Sequence, residues 1–356
     1  MSPLHHRLLR PQSVSNAVLA VALVALAAYF TSRTSTFLSP DNVVILANNA
    51  AALGVVVVPF ALLVISGNID FSVGSTAGLS GMVLALAVTR WGLSEVAGIA
   101  LALLVATAIG VVNAVLCVVL RFNPIIVTLG MLGAIRGGTL LVQEDQIYGI
   151  GPLVESLGTG TLLGIPYTLC AAIAMFLLGA AFLTLTPAGR HVFAIGVNRH
   201  AAYLSALPVR ALPFALYVVT GFSAGLAGLV FAARLNGVSP AVTGEGMEFA
   251  VLTIVLLGGV AFAGGRGNLF GVLIAWLFLA TLQNGLVLTN VTPYVQTASA
   301  GVALVLAAAL DRLGATVIPR LLLRAAPAAD AQPDRRGPAV VAAPPPARIP
   351  DDQKVP

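Results

Sequence analysis

Apolar residues run along this chain in blocks of roughly 20, the length a helix needs to cross a hydrocarbon core. Short polar or glycine-rich stretches separate the blocks. The pattern predicts membrane spans near 14–32, 43–66, 71–89, 96–119, 124–143, 166–186, 212–232, 248–263, 268–289 and 294–311. The expected fold is therefore an all-α polytopic membrane protein of about ten transmembrane helices. It has broken or re-entrant segments and a weak internal repeat. The membrane domain covers 14–312, and the segment 1–13 precedes it.

Composition sharpens this picture. Of 356 residues, 58% are hydrophobic and 9% charged, with mean hydropathy +1.00. Soluble domains carry about 25% charged residues, so a soluble globule is excluded. The 36 glycines suit helices that approach closely in lipid. Cys117 and Cys170 both lie inside apolar blocks, where a small packing role outweighs a disulfide. The first block follows Arg7 and Arg10 and holds an A-x-A pattern at Ala25–Ala27, as a signal peptide would. It continues through Tyr29 and Phe30, long enough for an uncleaved helix. From about Ala325 the chain turns to Pro, Ala, Asp and Arg, so 325–356 is expected to be a disordered tail.

Basic residues orient the chain. With the N-terminus in the cytoplasm, Arg7, Arg10, Arg121, Arg190, Arg199, Arg210, Arg266, Arg312, Arg320, Arg324 and the basic residues of the tail fall inside. Only Arg33, Arg90 and Arg234 fall outside, a positive-inside bias that puts both termini in the cytoplasm. The net charge of +5 reports this orientation and requires no nucleic-acid partner.

Two glycine-rich breaks recur with the same orientation. "GNIDFSVGSTAG" (67–78) lies between the second and third blocks, and "GGVAFAGGRGNLFG" (258–271) between the eighth and ninth. Breaks of this kind sit near the pathway in transporters built from repeats. In the first break Asp70 either caps the third helix together with Ser72 or forms part of a pathway or gate. Gly67, Asn68, Gly74 and Ser75 are its candidate companions. Arg136, inside the fifth block, should face the bundle interior, with Asp70 as one partner to consider. Asn113 and Asn284 serve either as interhelical hydrogen-bonding groups or as the lining of a polar conduit. The second break is marked by Gly264, Gly265, Arg266 and Gly267.

The connection 187–212 is the longest cytoplasmic loop. Within it "NRHAAYLSAL" (198–207) reads as a short amphipathic helix capped by Asn198 and ended by Pro208, either docking a partner or lying on the membrane surface. The only lysine is Lys354, so the chain has no P-loop of its own. Metal-ligand spacings and hydrolase motifs are also absent from the sequence, so neither a catalytic residue nor a metal ligand is expected.

Together these stretches resemble the ribose-type sugar permeases of bacterial ABC importers. "SGNIDFSVGS" resembles that family's S-G-G-I-D-L-S-V-G-S, and "NPIIVTLGMLGAIRGGTLL" (123–141) its P-x-x-I-V-T-L-G segment. "GRHVFAIGVNRHAAYLSALPV" (189–209) is similar to its G-R-x-x-x-A-I-G-x-N loop. "LGGVAFAGGRGNLFGVLIA" and "LQNGLVL" are similar to its closing glycine-rich and N-G-L stretches. The order is kept from about 43 to 312. Asn68, Phe71 and Asn268 depart from the pattern near the breaks, where they bear on the solute more than on the family.

The resemblance implies a permease subunit in a bacterial inner membrane, dimeric with a second permease subunit and surrounded by membrane lipid. It implies a cytoplasmic ABC ATPase that binds ATP and magnesium, and a periplasmic or lipid-anchored sugar-binding protein. Residues 195–207 would be the coupling helix, with Gly196, Asn198, Arg199, Ala202, Leu204 and Ser205 at the contact. The rival readings are a branched-chain amino-acid ABC permease and an ion-coupled secondary transporter. The few carboxylates within the spans argue against the second rival.

Overall fold

The computed structural model describes residues 11–309 apart from 293, 297 and 300. The predicted tail at 325–356 and the basic residues of both termini lie outside the described residues. Among the described residues the chain is about 75% helical with no closed sheet. Seven helices among them are long and apolar enough to cross a membrane. They are α1 (Pro11–Arg33), α2 (Pro40–Ile65), α4 (Glu95–Ala114, continued by a π-helical turn Val115–Val119), α5 (Pro124–Val142), α7 (Tyr167–Leu185), α10 (Ala211–Leu235) and α12 (Leu269–Leu288).

Three apolar helices are shorter: α3 (Val73–Thr89), α11 (Met247–Leu257) and α13 (Tyr294–Ala309). The expected span at 248–263 is corrected by this. Its helix stops at Leu257, and 258–268 is irregular backbone. The reason is conformational: Gly259, Gly264 and Gly265 take φ of +81°, +84° and +73°, which no continuing helix allows. Short helices α6 (Pro152–Thr159), α8 (Pro187–Val197) and α9 (Arg199–Leu204) fill the connections.

α2 forms the centre. From Ala50 to Ile65 nearly every residue is buried, as expected of a helix that is apolar all round. It packs against α10, α7, α12 and α11. The Trp276 indole donates to the Ala50 carbonyl at 2.9 Å and lies so close to Gly54 that an added Cβ would meet it at 2.6 Å. α10 also crosses α4, where Gly110 and Gly221 let the two backbones touch. β1 (Ile147–Tyr148) pairs antiparallel with β4 (Gly237–Val238), joining the loops after α5 and α10. A second small hairpin pairs β2 (Thr161–Leu162) with β3 (Ile165–Pro166).

Candidate functional site

α2 ends where Ser66 closes its last turn onto Leu62 at 3.1 Å and Gly67 turns the chain with φ +80°. The next five residues are irregular yet buried within the bundle. Their polar groups are satisfied locally. Asn68 donates to the Ser66 hydroxyl at 3.1 Å. Asp70 Oδ1 accepts from the Ser72 N–H at 2.9 Å and from the Ser72 hydroxyl at 2.6 Å. From α4, the Asn113 amide reaches across to Asp70 Oδ2 at 3.1 Å and to Ser72 Oγ at 2.9 Å. From α10, the Tyr217 hydroxyl donates to the Ile69 carbonyl at 3.0 Å. Asp70 is 2% exposed, and Asn113, Ser72 and Tyr217 are fully buried. A carboxyl in such surroundings stays only with several donors around it.

The capping expectation holds in part. Ser72 is the N-cap of α3, but its side chain makes no cap hydrogen bond to the helix. Its hydroxyl is occupied by Asp70 and Asn113. Ser75 turns back to the Ser72 carbonyl at 3.0 Å. The Asp70–Arg136 pairing is not formed. Arg136 Nη1 donates instead to the Thr243 carbonyl at 2.8 Å, because α5 places it against the loop before α11 rather than against the break. Asn284 exchanges two 3.0 Å hydrogen bonds with Asn42. Asn42 lies 23 residues before the end of α2, about 35 Å from the break along the helix.

A second constellation joins three distant parts of the chain. Gly265 N–H donates to the Ile65 carbonyl at 2.8 Å. Gly196, near the end of α8, lies against the same carbonyl, and a Cβ there would stand 2.5 Å from Gly265 N. A Cβ on Gly264 would meet Gly67 Cα at 2.9 Å, and one on Gly265 would meet Val197 N at 2.8 Å. The connection 187–212, the first break and the second break therefore share one backbone-to-backbone joint made of glycine. Arg266 contributes its carbonyl, which accepts from Ala261 N–H at 3.0 Å. Gly267, with φ +155°, leads into α12.

Beyond the joint, Asn198 caps α9 by accepting the Ala201 N–H at 2.9 Å. Ala202 is buried, whereas Leu204 is 72% exposed and Ser205 is exposed beside it. Arg199 donates to the Val209 carbonyl at 3.2 Å. Partial burial and the neighbouring Arg121 and Arg210 charges hold its guanidinium below the ordinary arginine range. It remains a cation, and the three arginines make this face strongly positive.

Sequence reasoning missed Tyr217 and Glu248. Nothing marks a tyrosine within an apolar block. Glu248 carried a signal, a carboxylate at the first position of the eighth apolar block. It is 5% exposed, and its Oε2 has no partner among the described residues. Gly74 of α3 lies directly against that oxygen.

Comparison with known proteins follows the same outline. The family model described as "Branched-chain amino acid transport system / permease component" matches residues 42–308. An L-arabinose ABC transporter permease of Azospirillum brasilense is 31% identical over 309 residues, covering 85% of this chain and 88% of its own length. A ribose import permease of Bacillus subtilis is 32% identical over 280 residues, covering 78% and 86%. An autoinducer 2 import permease of Photorhabdus laumondii is 32% identical over 262 residues, covering 72% and 78%. No solved structure matches significantly. The match spans both breaks, the joint and the buried Asp70 cluster, and the chain belongs to this family of ABC importer permease subunits.

Proposed function

We propose that this chain is the subunit through which a monosaccharide, or a small sugar-like solute, crosses a bacterial inner membrane. A separate ATPase bound to the cytoplasmic connection supplies the energy, holding ATP and magnesium itself. A binding protein on the outer side supplies the solute, and a second permease subunit, identical or related, completes the conduit. Both termini are cytoplasmic. The chain performs no bond chemistry, and its polar groups bind and release the solute weakly enough for transit. The sugar reading is preferred to amino acids because the arabinose, ribose and D-allose relatives carry sugar names.

The observation that carries the proposal is the joint at Gly196. A cytoplasmic loop seated on the backbone of both helix breaks passes any displacement at its outer face to Ile65 and Gly67, the residues that lead into Asp70. Packed elements shift between discrete arrangements rather than deforming gradually. Arg121, Arg199 and Arg210 suit an acidic partner surface at that face. The Asp70–Asn113–Ser72–Tyr217 cluster holds the first break closed against α4 and α10, and it is the element displaced when the conduit opens.

Vesicles carrying this chain with its ATPase and binding protein test the proposal. Labelled ribose, arabinose and allose are offered with ATP and without an ion gradient. Concentrative uptake of at least one sugar that needs ATP and both partners is expected. Uptake of branched-chain amino acids alone would transfer the chain to the amino-acid branch.

A further inference from the structure

The loop 239–246 is irregular backbone lying well inside the level of the membrane. Thr243 and Gly244 pack against Gly78 and Gly74, in the first turns of α3. Eleven residues separate Gly78 from the outer end of α3, about 16 Å of helix. Backbone without regular hydrogen bonding survives at such depth only when buried in protein or lining water. Yet Glu245 is exposed, Arg136 is half-buried, and the Phe249 ring is 48% exposed. Charged groups that open outward at this depth cannot face hydrocarbon.

The chemistry of the face is specific. Glu248 and Arg136 both stand on the glycine side of α3. A Cβ on Gly74 would strike Glu248 Oε2, and one on Gly78 would lie 3.3 Å from Arg136 Nη1. Gly74 and Gly78 are one turn apart, so the carboxylate and the guanidinium lie over successive turns of one helix face. Neither is saturated. Oε2 of Glu248 has no partner, and Arg136 makes one hydrogen bond, to the Thr243 carbonyl, among the described residues. Phe249 follows Glu248 and pairs with Phe71 of the first break, ring centroids 6.3 Å apart.

We infer that Glu248, Arg136 and Phe249 form a solute-contact station on the water-filled side of this chain, taking a neutral polyhydroxylated solute. The carboxylate accepts from hydroxyls, the guanidinium donates to hydroxyl or ring oxygens, and the aromatic face covers the C–H side of the ring. Opposite charges side by side favour an uncharged solute over either ion. The glycines at 74 and 78 let the Gly244 and Thr243 carbonyls and the two charged side chains come against α3 where a Cβ would otherwise stand. The station rests on the sugar-permease reading for its ligand, but the aqueous character of the face does not.

The test uses the assembled complex in vesicles and has two independent arms. In the first, Glu245→Cys is treated with a charged, membrane-impermeant thiol reagent. It is compared with Tyr148→Cys on the loop after α5, Leu177→Cys on the exposed side of α7, and the unmodified chain. Labelling that approaches the Tyr148→Cys rate is expected. Labelling as slow as Leu177→Cys overturns the inference whichever solute is carried. In the second arm, Glu248→Gln should lower sugar uptake per ATP hydrolysed by at least about tenfold, the scale of one charged hydrogen bond lost. Binding-protein-stimulated ATP hydrolysis should continue. Uptake per ATP equal to the parent chain removes Glu248 from the station. If the parent chain carries no sugar while position 245 labels, the sugar reading fails and the aqueous face stands.

Discussion

Asp70 is tolerated in the bundle because the Ser72 and Asn113 side chains donate to its carboxyl group, with Tyr217 fastening the neighbouring Ile69 carbonyl. Asn113 bridges Asp70 and Ser72 from another helix, so Asn113→Ala leaves a buried carboxylate oxygen short of a donor. The expected cost is about 1–3 kcal/mol, read as a lower unfolding temperature of the purified subunit in detergent. An unchanged temperature would mean that water replaces the amide. Tyr217→Phe keeps the ring and removes only the bond to the Ile69 carbonyl. It should cost about 0.5–1.5 kcal/mol and leave assembly with the ATPase intact. Asn284→Ala offers a contrast: it breaks a pair with Asn42 far from the break. Pairs of this kind average about 0.6 kcal/mol in membranes, so transport should fall little compared with Asp70→Ala. An equal loss of transport in the two variants would show that the buried cluster has no special role.

At the scale of elements, the glycine joint makes the sharpest claim. Gly196→Ala puts a methyl group between the Ile65 carbonyl and Gly265 N, two backbone atoms that cannot swing aside. The expected phenotype is uncoupling: the ATPase still docks on α9 and hydrolyses ATP, while transport falls at least about tenfold, equivalent to about 1.4 kcal/mol. Parallel loss of docking would place the residue in the interface instead. These elements were unevenly legible in the sequence. Uniform apolar blocks announced α2, α4, α7, α10 and α12, and Asn198 with Pro208 framed α9. Span eight was drawn too long because "VLLGGVAFAGG" is apolar throughout, and hydropathy does not register the left-handed glycines that end α11. Asp70 and Asn113 stood out singly as polar groups among apolar ones. Their contact spans 43 positions, and no local pattern encodes it. Arg136 was expected to face inward, but its partner is a backbone carbonyl, which no side-chain inventory would nominate.

For the whole molecule, the proposed function makes one lever of the two breaks and the connection 187–212. Arg199 and Arg210 lie on that connection with Arg121 beside them, and its Gly196 meets the end of α2 and the backbone that follows α11. A protein driven this way needs no ion site of its own, and its activity should depend wholly on the partner that moves the lever. The direct test is uptake of labelled pentose into vesicles holding this chain, its ATPase and its binding protein, with and without ATP and with no ion gradient imposed. The account predicts accumulation only when ATP and both partners are present. Accumulation by this chain alone, driven by a proton or sodium gradient, would contradict it and make the chain a secondary carrier.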